Sequence, residues 1–316
     1  MNELVSKSRI QHSVDLGLDF IRSKQLVTGQ LPSLACANTS LSIECRPDVA
    51  PFVTALVVHS LSYSQAGKAI RIVQDGLVYL RAMMEPGGIW RYSRFNNDRS
   101  IPPDLDVISC ISLELLRYGI SFDSNRETLL ANRNVRGVFL TWIRSLSDNL
   151  ASLNWPEGVL DDVDCVVNAN TVAYLGESEE TKKAIDYLIA LASNGLPDKF
   201  SYYYLDRESF YYMLSKAYSS GLESLSPAME PITQDCEKLL RQIGDSISSL
   251  SLALIMCSFL NAGHCIDPSK HVDRLLESQT SDGSWPRSAF YRGPAYYGSE
   301  VLSTSFCIEA LSRISK

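Results

Sequence analysis

Residues 104–116 read DLDVISCISLELL, an acidic opening that leads into a helix apolar on nearly every face. The same pattern returns at six openings, Asp48, Asp106, Asp164, Asp206, Asp245 and Glu300. They lead into VAPFVTALVVHSL, VISCISLELL, CVVNANTVAYL, RESFYYMLSKAYSS, SISSLSLALIMCSFL and VLSTSFCIEAL. A helix apolar all round has to be buried. Between these runs lie segments with one charged side, near 10–25, 66–84, 126–147, 178–194, 230–243 and 268–279. AGKAIRIVQDGLVYLRAMM and SEETKKAIDYLIALA show that amphipathic period best, and such helices belong outside, against the buried ones.

Alternation of six inner and six outer helices predicts an all-α protein, an (α/α)6 barrel of six helical hairpins. No Pro/Gly/Ser-rich linker divides it, so residues 1–316 are expected to form a single barrel. Alternating β-branched runs are absent, and no strands are expected. The connections are unequal. Inner-to-outer loops are mostly short, whereas four outer-to-inner loops are long: 26–47, 85–105, 148–163 and 280–299. All outer-to-inner loops emerge where the inner helices begin, so that end is the expected mouth of a central cavity.

Composition narrows the chemistry. With 29 basic against 36 acidic residues the net charge is −7, which gives no cation excess for nucleic acid. No apolar run approaches the ~20 residues of a membrane-spanning helix, and Met1 to Gln11 lacks a signal-peptide core, so a cytoplasmic protein is expected. Eight cysteines are scattered, and Cys110, Cys165, Cys236, Cys257, Cys265 and Cys307 fall in helical apolar segments. They read as small buried thiols in a reducing compartment.

The loops carry a second repeat. Leu275, Gln279, Gly283 and Trp285 in LLESQTSDGSW set leucine, glutamine, glycine and tryptophan at fixed spacing. Leu80, Met84, Gly88 and Trp90 repeat it with Met for Gln, and Ile21, Gln25, Gly29 and Leu31 with Leu for Trp. This resembles the QW motif of the squalene–hopene cyclase and class II terpene cyclase superfamily, whose β domains share the (α/α)6 barrel with protein prenyltransferases. In that family the motif is structural. Its glutamine is expected to bond carbonyls at an outer-helix end, and its tryptophan to stack on the next hairpin. The resemblance spans nearly the whole chain. One barrel is present where typical class II cyclases use two.

The resemblance also implies a catalytic run, Asp-x-Asp-Asp, whose central acid protonates an alkene or epoxide. Asp104-Leu105-Asp106-Val107 matches its first two acids and has Val107 for the third; a related arrangement without the third acid is found in some single-β-domain cyclases. Asp106 is then the general acid, kept protonated by apolar surroundings and by Asp104. Helix capping is the other reading of these residues, but one aspartate suffices for a cap and here there are two. The doubling recurs at Asp162 and Asp164. Asn168 and Asn170, in the apolar helix that follows, must bond to something, and are expected to hold a catalytic carboxyl or a neighbouring helix end.

No cofactor is required by this chemistry, though clustered acids can take Mg²⁺, with Asp104 and Asp162 the candidate ligands. Zinc is not expected, since Asp164-Cys165 has the wrong spacing for the prenyltransferase site. Trp90, Trp155, Tyr203, Trp285 and Tyr296 are candidate aromatic walls for a carbocation, and Arg91 and Arg94 candidate forks for a phosphate or carboxylate. The function this points to is protonation-initiated cyclisation of a prenyl chain, carried on a diphosphate or a prenylated small molecule. Two alternatives fit the same residues: a glycosidase-like hydrolase using paired carboxylates such as Asp106 and Asp164, and a non-catalytic isoprenoid-binding barrel. The expected partner is an isoprenoid small molecule, with a homodimer or a partner domain open.

Overall fold

The computed structural model describes residues 2–48, 50–92, 102–146, 158, 161–264 and 269–315. In chain order its helices are α1 (Asn2–Lys24), α2 (Pro51–Leu61), α3 (Gly67–Ala82), α4 (Leu105–Arg117), α5 (Arg126–Ala131), α6 (Cys165–Leu175), α7 (Lys182–Asn194), α8 (Arg207–Ser219), α9 (Ser226–Ile243), α10 (Ser249–Asn261), α11 (Ser269–Glu277) and α12 (Glu300–Ile314). The even-numbered ones pack in a closed ring, α2 on α4, α4 on α6, and so on to α12 back on α2. Every residue of α2 is buried, and nearly every residue of α6, α10 and α12. The odd-numbered helices pack outside; α3, α7 and α11 bury one face each. The predicted barrel is thus present. No helix among the described residues is long and apolar enough to cross a membrane.

Three sequence expectations are corrected. The outer helix predicted over 126–147 stops at Ala131. Asn132, Asn134 and Gly137 turn the chain into a tight hairpin, with Arg133 bridged to Phe139. Gly137 has φ +78° and Asn134 Oδ1 accepts from the Arg136 and Val138 N–H groups. The second correction is a small antiparallel sheet where no strand was expected. It comprises β1 (Ser33–Cys36), β2 (Arg46–Asp48), β3 (Ala289–Arg292) and β4 (Tyr296–Gly298), in the order β2-β1-β4-β3. Its register pairs Ala35 with Tyr297, so the first and last long loops are stitched together at the mouth. Third, Cys36 and Cys45 form a disulfide across the β1–β2 connection, which removes the argument for an all-thiol protein. Cys110, Cys165, Cys236, Cys257 and Cys307 are free and buried; Cys265 lies outside the described residues.

The QW-like repeats hold the wall, with the donors arranged differently from expectation. The tryptophans bond the outer-helix ends: Trp90 Nε1 donates to Leu80 O at 2.8 Å and Trp285 Nε1 to Leu275 O at 2.7 Å. The glutamines reach the neighbouring outer helix instead. Gln25 Nε2 donates to Ile72 O in α3, and Gln279 Nε2 to Ser13 O in α1, both at 2.9 Å. The glycines allow that approach. Gly29 and Gly283 have φ +90° and +86°, and a β-carbon on them would sit 2.0 Å from Asp75 O and 2.5 Å from Leu16 O.

Candidate active site

Asp104 and Asp106 divide two tasks. Asp104 is the N-cap of α4, its Oδ1 accepting from the Val107 N–H at 2.7 Å. That satisfies the helix end and leaves Asp106 free of capping. Asp106 is 8% exposed and points instead to other elements. Its Oδ1 accepts from Asn170 Nδ2 of α6 at 2.7 Å, and its Oδ2 from the Tyr204 hydroxyl. Burial raises the Asp106 pKa; the Tyr204 and Asn170 hydrogen bonds and the Lys216 charge act against it without cancelling it. The Oδ1 of Asn170 is buried without a partner among the described residues, so the amide has one more acceptor beside the acid than the protein uses.

Asp164 repeats the capping role. Its Oδ1 accepts from the Val166 and Val167 N–H groups at 2.8 and 3.3 Å, and its other oxygen from the Ser201 hydroxyl. Ser201 Oγ in turn accepts from the Tyr203 and Tyr204 N–H groups at 3.1 and 2.8 Å. Asp164 therefore reaches Asp106 indirectly, by pinning the turn that carries Tyr204. Asp162 accepts from Thr141 Oγ1 at 3.0 Å, and the Thr141 backbone links Asp162 O to Leu105 N.

Among the predicted residues, Asn168 does not face the acids. Its amide pairs with both backbone groups of Phe139, at 3.0 Å each, and with Asp164 O. Asn170, two residues on, holds the carboxyl. Trp90 and Trp285 are fully buried in the wall described above. Arg91 is committed to Glu85 at 3.2 Å and to Leu146 O at 2.6 Å. Tyr203 is half-buried, its hydroxyl accepting from Trp142 Nε1 at 2.7 Å. Tyr296 packs on the small apolar cluster of Cys36, Leu41 and Ala289. Arg94 and Trp155 lie outside the described residues. For Mg²⁺ the fit is poor: Asp104 Oδ1 is used by its cap, Asp162 by Thr141, and no three metal-ligating side chains converge among the described residues.

An aromatic series leads inward from the acid, from two rings that the sequence places in the mouth loops, Tyr204 and Phe290, to two that sequence reading missed, Phe306 and Tyr212. Tyr204 contacts Phe290 edge to face at 5.4 Å, Phe290 meets Phe306 at 5.7 Å, and Phe306 meets Tyr212 at 5.2 Å. Tyr212 then contacts His59 at 6.5 Å, from α8 to α2, helices on opposite sides of the six-membered ring. Phe306 and Tyr212 sit in inner helices, where rings read as core.

The acids leave a mark on stability. Asp104 and Asp164 are pushed up to about 7, chiefly by burial, with Asp106 and Asp162 adding repulsion. Unfolded, such carboxyls titrate near ~3.9. Between these values the folded chain binds more protons than the unfolded one, so stability is full below pH ~4 and declines as pH rises through about 7. The melting temperature is expected to fall over that window. Asp104→Asn, which keeps a capping oxygen, should flatten the slope. A melting temperature that climbs from pH 4 to 7 in both proteins would contradict it.

The ring of inner helices and the mouth pinned at their starts together make a closed helical toroid. Among solved structures, the chain matches the type II terpene cyclase MstE from Scytonema, in complex with its substrate geranylgeranyl dihydroxybenzoate. The TM-score is 0.78 at 15% identity, over 99% of both chains. It also matches ent-copalyl diphosphate synthase from Streptomyces platensis, with a TM-score of 0.59 at 16% identity, over 83% of this chain and 50% of that one. A glycosidase matches at a TM-score of 0.50 and 10% identity, over 98% of both chains. At these identities the likeness is one of fold. No family model matches the sequence, and no curated protein does.

Proposed function

We propose that the chain is a class II-like terpene cyclase barrel, with Asp106 as the acid that protonates a prenyl chain. The observation that carries this reading is a carboxyl released from capping by Asp104, buried, and shifted toward its protonated form beside an aromatic series. Its proton goes to the terminal alkene and the π electrons of the next double bond close a ring. The ring faces of Tyr204, Phe290, Phe306 and Tyr212 stabilise the resulting cation without trapping it. Loss of a proton elsewhere on the skeleton ends the cascade, so product and substrate are isomers. MstE supports the reading: it has been captured with a geranylgeranyl substrate and with merosterolic acid A as product, on the same fold.

The glycosidase reading needs a second carboxylate free to activate water or attack a sugar. Asp164 is taken up by two backbone N–H groups and Ser201, and its pKa is pushed up to about 7. The test is incubation with geranyl, farnesyl and geranylgeranyl diphosphates and with geranylgeranyl dihydroxybenzoate. A cyclic product of unchanged mass is expected from at least one. Full recovery of every prenyl compound, with sugar released from oligosaccharides, would reverse the assignment.

A further inference from the structure

Lys216 of α8 is 2% exposed, and among the described residues its ammonium has no hydrogen bond and no ion pair. Its direction follows from its helix. Tyr212 lies one turn earlier, and its ring meets His59 of the opposite helix α2, so this stripe of α8 faces the barrel axis. Residues four apart share a helix face, which puts Lys216 on that stripe. Helical side chains lean toward the N-terminus, so its long chain tilts up toward the mouth. On α4, next but one in the ring, Asp106, Cys110 and Glu114 form a matching stripe, each four residues apart. Helix α6 stands between α4 and α8 in the ring, yet the Lys216 charge is felt by Asp106, Cys110 and Glu114 alike.

The acids deep in the barrel are already engaged. Glu114 holds His59 Nδ1 at 2.7 Å and Arg117 at 3.1 Å. Glu309 holds Arg313 at 3.1 Å and the Tyr212 hydroxyl at 2.8 Å. Lys216 is left without an ion pair of its own. A nearly buried cation that no carboxylate pairs directly is costly, and its ammonium repels any carbocation formed near it. An anion at this position resolves both problems.

We propose that Lys216 seats the anionic head of the substrate, a prenyl chain ending in a carboxylate or a diphosphate. This rests on the cyclase reading above and deepens it. The acid and the head-group site then face one lumen from α4 and α8. The chain between them has to fold back on itself, which is the shape that ring closure needs.

The experiment measures binding by Asp106→Asn protein, with no turnover, of geranylgeranyl diphosphate, geranylgeranyl dihydroxybenzoate and neutral geranylgeraniol. Adding Lys216→Met is expected to weaken one or both anionic ligands ~10–100-fold, as loss of a charged hydrogen bond does. Geranylgeraniol should bind unchanged, and Lys216→Arg should restore most of the loss. Which anion suffers identifies the head. Lys216→Met should melt no lower than the parent without ligand, because it removes a nearly buried cation that no carboxylate pairs directly. Equal losses for all three ligands, no loss for any, or a clearly lower melting temperature each overturn the inference. If the parent binds no prenyl compound at all, the cyclase reading falls, and the inference with it.

Discussion

Asp106→Asn is expected to lower turnover of any accepted prenyl substrate by about 10³-fold, within the range that a positioned general acid contributes. Asparagine has nearly the same shape, still accepts from Tyr204 or Asn170, and leaves the Asp104 cap untouched, so folding should be preserved. What disappears is the ionisable proton. The control is Asp104→Asn, which keeps the cap but removes the neighbouring repulsion; its effect should be far smaller. Single-turnover product formation, with the melting temperature as a check on folding, separates the two. Undiminished cyclisation by Asp106→Asn would remove the residue from the acid's role.

Trp285→Ala should produce the largest loss of stability, about 3–5 kcal/mol, the usual range for a fully buried tryptophan. The ring fills the seam between the last outer hairpin and α1. A β-carbon placed on Gly17 would lie 3.1 Å from its Cζ3 atom. Its indole N–H holds Leu275 O at 2.7 Å, and its backbone N–H takes Thr304 Oγ1 at 3.0 Å. Truncation leaves a cavity and an orphaned helix-end carbonyl together. A denaturant midpoint lowered in proportion, with an unchanged slope, is the expected result. Trp285→Phe should keep most of the packing and lose less. A midpoint near wild type in the alanine variant would show that the QW-like seam does not hold the ring.

The inner helices were legible because residues such as Val53, Val57, Ile108, Ile111, Ile255 and Ile308 leave no face for water, whatever the neighbours. The acid was legible because two aspartates stood where one cap was needed. The hairpin after α5 was not. Val138, Phe139 and Leu140 continue the helical apolar spacing, and only the Asn134 turn, a local hydrogen-bond device, diverts the chain. That error carried over to Asn168, whose partner is the Phe139 backbone in the diverted segment. The bond from Tyr204 to the acid was hidden differently. Three tyrosines run in succession from 202 to 204, and it is the Ser201 turn, fixed by Asp164, that selects which hydroxyl reaches Asp106. The mouth sheet pairs segments more than two hundred residues apart, a relation that periodicity within either segment does not encode.

That long-range pairing governs how the molecule is born. α1 is made well before α12, yet it packs on α12, takes the Gln279 bond from the loop that follows α11, and lines the seam that Trp285 fills. On the ribosome its contacts with α3 can form early, but the face that packs on α12 has no partner until α12 has been made. The ring cannot be completed vectorially, hairpin by hairpin; it shuts in one late event. A nascent chain stalled before residue 285 is therefore a natural client for a chaperone, and a permuted order that places α11 and α12 directly before α1 should shorten that wait.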